Sequence, residues 1–498
     1  MHTWRRKLRF HLYLFFFLGL LTGCEKKNMV TLKVGYVPIA LEQIEPTKIQ
    51  TILDYSLIAS LWVNLLDYDD SGNIIPTLAD NYSLSNGILK IDIGTKYKTP
   101  SGRIINAHDA YLSIKRSIIL NSNLHSKIKD IICPDTTLSN INEKCPGIYT
   151  SDNSLILNIG SDDHFFTIAD MLTNAEYSII PHTSYNKEDL KIFDFKETSG
   201  AYYIDHVSLE ESLLIKNPGF STRATIPSKI ILKNISQRTH ELDQLWHRGE
   251  IDVIHPVFFR FLKEKDSLQE SNRHETVPFR REYLYFTDRG LKNFNEEQRW
   301  SLYKKIINSK EKPINQVNLD LLYKGGDGSL DEIQNKKIQE KLTIANELIA
   351  QNLSPTIGFL REDIRNRFKS ALPNLKEYKM KINPNSWDIE AGEEEKFDFT
   401  VQVVDITPYE SPTAVAYLIK SKYLYQTKDQ DTWIKSYTSE KSKAKRVQIL
   451  NELNFNTLNS GHTLPLNDSS FVTITRKPWV VKKPMFNSGT EFWRIQIE

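Results

Sequence analysis

The sequence predicts an α/β protein of two or three domains, and three observations carry that reading. The 498 residues, 40% hydrophobic and 25% charged, suffice for a sizeable core. Segments that alternate apolar and polar residues, as half-buried strands do, recur through the chain at 30–36, 89–93 and 283–287, and 397–405 reads as a more apolar strand. Between them lie stretches with helical spacing, and 342–353, 356–360 and 364–372 read as helix, strand and helix, the alternation of an α/β layer.

The elements follow in chain order. Residues 1–24 combine a basic segment, an apolar run from Phe10 to Leu21 and Leu-Thr-Gly-Cys, the pattern of a secretory leader. The small residues before Cys24 resemble a bacterial lipobox, which implies cleavage before Cys24 and its acylation. Several acyl chains, at about 0.8 kcal/mol per buried methylene, make a lasting anchor. A strand is predicted at Val30–Tyr36 and an apolar helix at Leu53–Leu66. Asp67, Asp69, Ser71 and Gly72 imitate half of a calcium loop, but Leu78 stands where a bidentate glutamate is needed, so a polar turn is expected.

Leu89, Ile91 and Ile93 form a strand that is expected to turn at Ser101-Gly102 and pair with a short strand at Arg103–Ile105. Asn106 then caps a helix whose face is Ala107, Tyr111, Ile114 and Ile118, with Asp109 completing a capping box. Cys133 and Cys145 remain in an exported chain and are expected to close a local disulfide; a zinc site lacks two further nearby ligands. Beyond them come a strand at Ser154–Ile159, a helix through Ala169 and Leu172, a helix at 242–248 capped by Gly249, a strand at 283–287 and a helix at 299–307. The strand 397–405, the helix 447–458 and the strand 463–466 follow, and 492–497 should pack back on the first domain.

Charge excludes some partners. Sixty-four basic and sixty-two acidic residues leave +2, and removing Arg5, Arg6, Lys7 and Arg9 with the leader makes that +2 − 4 = −2. No nucleic-acid footprint follows. The basic residues of 420–446 are interspersed with Asp429, Asp431 and Glu440, as on a solvated helix face. There is no phosphate loop, nucleophile elbow, His-Glu-x-x-His or spaced Cys-x-x-Cys pair, and His206 and the His240-Glu241 pair stand alone. An enzyme is the weaker expectation, and neither a cofactor nor a metal is expected.

GNIIPTLAD followed by KTPSGRIINAHDAYLSIKR resembles the signature region of the family 5 extracytoplasmic solute-binding proteins, the oligopeptide and dipeptide-binding lipoproteins of ABC importers. Ile44-Glu45-Pro46, Thr198–Ile204 (with Ala201 in place of proline), Lys216–Phe220 and Leu242–Val253 match further family patterns. The resemblance implies a two-lobed, periplasmic-binding-protein-like fold of the type II, large peptide-binding class. Its implied parts are a lobe I core from 25–60, 178–276 and 465–498, a subdomain inserted at 61–177, and lobe II at 277–464. It also implies capture of peptides or a peptide-like solute by domain closure, for delivery to permease subunits, by a monomer anchored outside the cytoplasm of a bacterium, in the periplasm or at the cell surface.

In peptide-binding relatives an aspartate after an apolar strand of lobe II takes the peptide amino terminus, and Asp405 is the matching residue; a loop or helix cap is the alternative role. Trp387, Tyr409 and Trp433 could line the cleft or belong to the core. The rival readings are a transport-inactive receptor or surface lipoprotein of the same fold, a binder of a metal chelate or oligosaccharide, and a hydrolase with an unrecognised site.

Overall fold

The computed structural model describes residues 30–498 apart from short breaks, the longest being 310–318, 382–388, 406–432 and 483–490. The leader with Cys24, and Trp387 and Tyr409, lie outside the described residues. No helix among the described residues is long and apolar enough to cross a membrane.

Three sheets organise three apolar cores. The first has seven strands in the order Ser271–Glu275, Val472–Arg476, Val253–Ile254, Thr31–Tyr36, Lys229–Asn234, Glu211–Lys216 and Tyr202–Val207. Its core gathers Leu32, Val34, Leu57, Trp62, Leu232, Trp246 and Phe492, so the C-terminal segment packs on this lobe. The second has five strands in the order Lys376–Lys379, Thr356–Phe359, Phe399–Asp405, Arg280–Phe286 and Thr463–Ser469. The chain therefore crosses between these sheets twice, at 275–280 and at 469–472. The return crossing lies beyond the expected 464/465, because Thr463–Ser469 pairs with Arg280–Phe286 before the chain leaves.

The third sheet, of four strands, runs Ala79–Ser85, Ile88–Ile93, Ser154–Asn158 and Ile148–Ser151. Val63 bridges Ile179 where the two chain ends of this subdomain meet. The strand Ile88–Ile93 pairs with Ala79–Ser85 and Ser154–Asn158, not with 103–105. The turn is Asn86-Gly87, both with positive φ (52° and 72°). Asn-Gly suits a two-residue hairpin because both residues tolerate that region. Ser101-Gly102 makes a smaller turn, Gly102 donating its amide to Thr99 O at 2.8 Å beside the Lys98–Ile104 bridge.

Two predicted helices have other bounds than expected. Ile52–Leu61 has a full Thr51/Asp54 capping box but stops at Leu61, where the Gly200 amide donates to the Leu61 carbonyl at 2.8 Å and Trp62 turns extended into the core. The predicted helix 342–353 is two helices, Glu332–Ile344 and Glu347–Asn352, because Asn346 caps the second. The helix Ala107–Leu120 forms as read: Asn106 Oδ1 accepts from the amides of His108 and Asp109, and the Asp109 carboxylate accepts from the Asn106 amide.

Cys133 and Cys145 are bonded, with Cα atoms 5.0 Å apart. Buried Lys115 reaches into the same loop, its Nζ donating to Ile141 O at 2.7 Å and Glu143 O at 2.5 Å. Pairing cysteines twelve positions apart stabilises by about 3 kcal/mol on the chain-entropy account. The Cys133→Ser, Cys145→Ser double variant is accordingly expected to lose about that much in chemical denaturation. A loss within experimental error would show that Lys115 holds the loop without the bond.

Candidate functional site

Strand register places the cleft. Thr31–Tyr36 runs parallel to Lys229–Asn234 and Val253–Ile254. Ile254 lies opposite Ile474 and Val253 opposite Thr475, so all three carboxyl ends point toward Val472, where the chain arrives from lobe II. Glu275 pairs with Val472, so the outgoing crossing leaves from the same end. In lobe II, Arg280 pairs with Asp405 on one side and Ser469 on the other. Thr356–Phe359 and Lys376–Lys379 run parallel to Phe399–Asp405, so their carboxyl ends lie at the crossings as well. Both sheets thus turn the carboxyl ends of their parallel strands to the same junction, the edge at which open α/β sheets bind ligands.

Apolar side chains follow or approach these strand ends. Leu41 follows the first strand of lobe I, Phe261 follows the short helix Pro256–Phe259, and Val403 lies near the end of Phe399–Asp405; these keep 36%, 37% and 38% of their surface exposed. The Arg260 guanidinium stacks on Phe261 at 4.7 Å, Arg273 on Phe259 at 5.2 Å and Arg280 on Phe471 at 4.9 Å. Phe471 is tied to the other crossing, its carbonyl accepting from the Thr276 amide at 3.0 Å and its own amide donating to Thr276 Oγ1 at 2.9 Å.

Beneath this edge, Arg281 is buried and fixed by the Asp468 carboxylate and the Leu322 carbonyl. Phe399–Asp405 has Thr356–Phe359 beside it at Phe399 and Thr400, and Arg280–Phe286 runs along its other side as far as Asp405.

The backbone of Asp405 therefore ends a strand at the cleft edge, opposite Arg280. Trp433 is helical and half-buried, packed against the lobe II core. The motif reading missed Leu41, Phe261, Val403, Arg280 and Phe471. Leu41 could have been found as a residue in the loop after the predicted strand 30–36 and Phe261 as one beyond the Leu242–Val253 match, but the others depend on pairing across more than a hundred residues. Among the described residues no group of three or more His, Cys, Asp or Glu is placed to hold a metal.

No protein-family model matches the chain, and no curated protein matches it in sequence. Solved structures do match its fold. OppA of Listeria monocytogenes bound to peptide superposes with a TM-score of 0.65 at 12% identity, covering 95% of this chain and 99% of that one. The ABC transporter-associated periplasmic binding protein DppA of Helicobacter pylori, in complex with the peptide STSA, gives 0.64 at 12%, covering 94% and 98%. NikA of Brucella suis in complex with Fe(III)-EDTA gives 0.67 at 12%, covering 94% and 100%. The chain has the two-lobed α/β fold of such binding proteins.

Proposed function

We propose that this chain is the substrate-binding lipoprotein of an ABC importer, held outside the cytoplasmic membrane through Cys24, and that it captures peptides or a peptide-like solute between its lobes. The observation that carries the reading is the meeting of two sets of strand carboxyl ends at one junction, to which Phe399–Asp405 runs beside Arg280–Phe286. An extended peptide would pair with that strand through its backbone, its amino terminus taken by Asp405, while side chains rest on Leu41, Phe261 and Val403. Backbone pairing is indifferent to side-chain identity, which suits a carrier of varied peptides. Tyr409 and Trp387 are proposed as further walls of the cleft.

Binding works by closure about the two crossings, the closed form being what a permease would engage. A Kd of about 1 μM corresponds to about −8 kcal/mol, so the open and closed states of the empty protein must lie close in free energy. The chain is read as a carrier and not an enzyme, in keeping with its likeness in fold to solved binding proteins.

The full chain in detergent, titrated calorimetrically with pools of two- to five-residue peptides, is expected to give saturable heat with at least one pool. Asp405→Asn should weaken that binding at least tenfold, because the ammonium terminus would lose its charged partner. The absence of heat with every pool would sink the peptide reading. Mass spectrometry of solute that co-purifies would then distinguish a chelate or oligosaccharide cargo from a receptor that carries none.

A further inference from the structure

Lobe II touches the rest of the molecule at a second place besides the crossings. Arg446, in the first turn of the helix Lys443–Asn459, sets its guanidinium 4.4 Å from the ring centroid of Phe166 in the inserted subdomain. The neighbouring phenylalanine is placed differently. Phe165 stacks on Tyr82 at 5.7 Å and packs against the subdomain core, whereas Phe166 joins none of the three apolar cores formed by the described residues and offers its face to Arg446. Arg446 is only 7% exposed and is aimed by its own helix start, Nη1 donating to the Glu440 carbonyl at 2.7 Å and the amide to Ser442 O at 3.0 Å. A guanidinium held this dry over a ring is attracted more strongly than one in water.

We propose that Arg446 and Phe166 form a latch that holds lobe II against the inserted subdomain, so that the opening of the cleft requires this contact to part. The crossings let lobe II swing, and the latch sets how often it does. It gives the inserted subdomain, which contributes no residue to the cleft edge described above, a part in binding: a cargo leaves when the latch releases, so the latch governs residence time. The proposal goes beyond the import reading and holds for any cargo, because it concerns the empty protein.

The test is a distance between the two bodies without ligand. Ser151→Cys on the subdomain and Ile344→Cys on lobe II, both exposed, carry nitroxide labels in the full chain with Cys24→Ser. Double electron-electron resonance on the parent is expected to give a predominant short distance. Arg446→Ala and Phe166→Ala should each raise the ratio of long to short populations about tenfold, and the double variant no more than either alone. Arg446→Lys, which keeps the cation, should recover part of the short population, with thermal midpoints of all variants close to the parent. Distributions unchanged from the parent in both single variants, or effects of the two that simply add, would overturn the latch. Neither outcome bears on peptide binding, which calorimetry reads separately.

Discussion

Arg116→Met is expected to destabilise lobe I by about 3–5 kcal/mol, the cost of leaving one member of a buried ion pair alone. The Arg116 side chain is fully buried in the helix Ala107–Leu120 and the Glu45 side chain is 12% exposed. Nη1 of Arg116 donates to Glu45 Oε1 at 3.0 Å, while Nε and Nη2 donate to the Leu190 carbonyl at 2.9 and 2.7 Å. The guanidinium also lies 5.3 Å from the centroid of the Tyr185 ring. Methionine of similar length fills the space but strips Glu45 of its charged partner and Leu190 of both donors.

Glu45→Gln together with Arg116→Met should recover much of the loss, since no unpaired charge is then buried. Urea unfolding followed at the lobe I transition measures this, and a single-variant loss under about 1 kcal/mol would show that Glu45 is solvated well enough to need no partner.

The second large effect is on acid stability. His255 is fully buried, its Nε2 3.0 Å from Ser56 Oγ, and Ser56 in turn donates to the Ile52 carbonyl, so Nε2 carries the proton, and among the described residues Nδ1 has no partner. Burial pushes the His255 pKa down from 6.5 to about 3. His462 is pushed down to about 4, by burial first and then by the Arg299 charge.

A histidine whose folded pKa lies below its unfolded one costs nothing above pH 6.5. As pH falls from there toward the folded value, the unfolded chain takes up the proton first and stability declines. At pH 5 the unfolded-state advantage at His255 is about 2 kcal/mol, from 1.5 units at 1.36 kcal/mol each. His255→Asn should therefore show a shallower decline between pH 6.5 and 5, by about that amount relative to its own neutral-pH stability. Parallel pH profiles of parent and variant would refute the assignment.

Much of the scaffold was legible because its motifs are words for contacts. Glu45-Pro46 and Lys115-Arg116, far apart in the chain, are two halves of the ion pair whose loss is predicted above. Asn217 in KNPGF donates to the carbonyls of Lys98 and Gly200, both at 2.9 Å, and accepts from the Gly219 amide at 2.8 Å. Three motif segments therefore meet at one side chain. Gly200 and Gly219 are small of necessity, since a Cβ at either would come within 2.5 Å of the backbone of Leu61 or Lys98.

Asp109 serves the same joint. It accepts from both Arg103 nitrogens at 2.9 and 3.1 Å and from the His182 amide at 3.0 Å. Burial raises its pKa, but these donors prevail and hold it below the ordinary carboxylate value.

What was not legible has two causes. The first hairpin was misplaced because Ser101-Gly102 and Asn86-Gly87 both carry turn signals, and the second is the stronger by its demand for two positive φ angles. The cleft was faint because its geometry is non-local. Val403 and Arg280 become neighbours of the cleft only through the pairing of Arg280 with both Asp405 and Ser469, which no window of adjacent residues contains.

The seven-stranded sheet also says something about when the molecule can be finished. Val472–Arg476 is an interior strand, with Val253–Ile254 on one side and Ser271–Glu275 on the other. A chain that emerges from its amino terminus presents both flanking strands some two hundred residues before the one that joins them. Until then lobe I waits with two raw sheet edges, the condition under which unfinished chains stick to one another and to holding chaperones. The order of synthesis therefore makes lobe II, whose last strand ends at Ser469, able to complete its sheet before lobe I, although lobe I begins the chain.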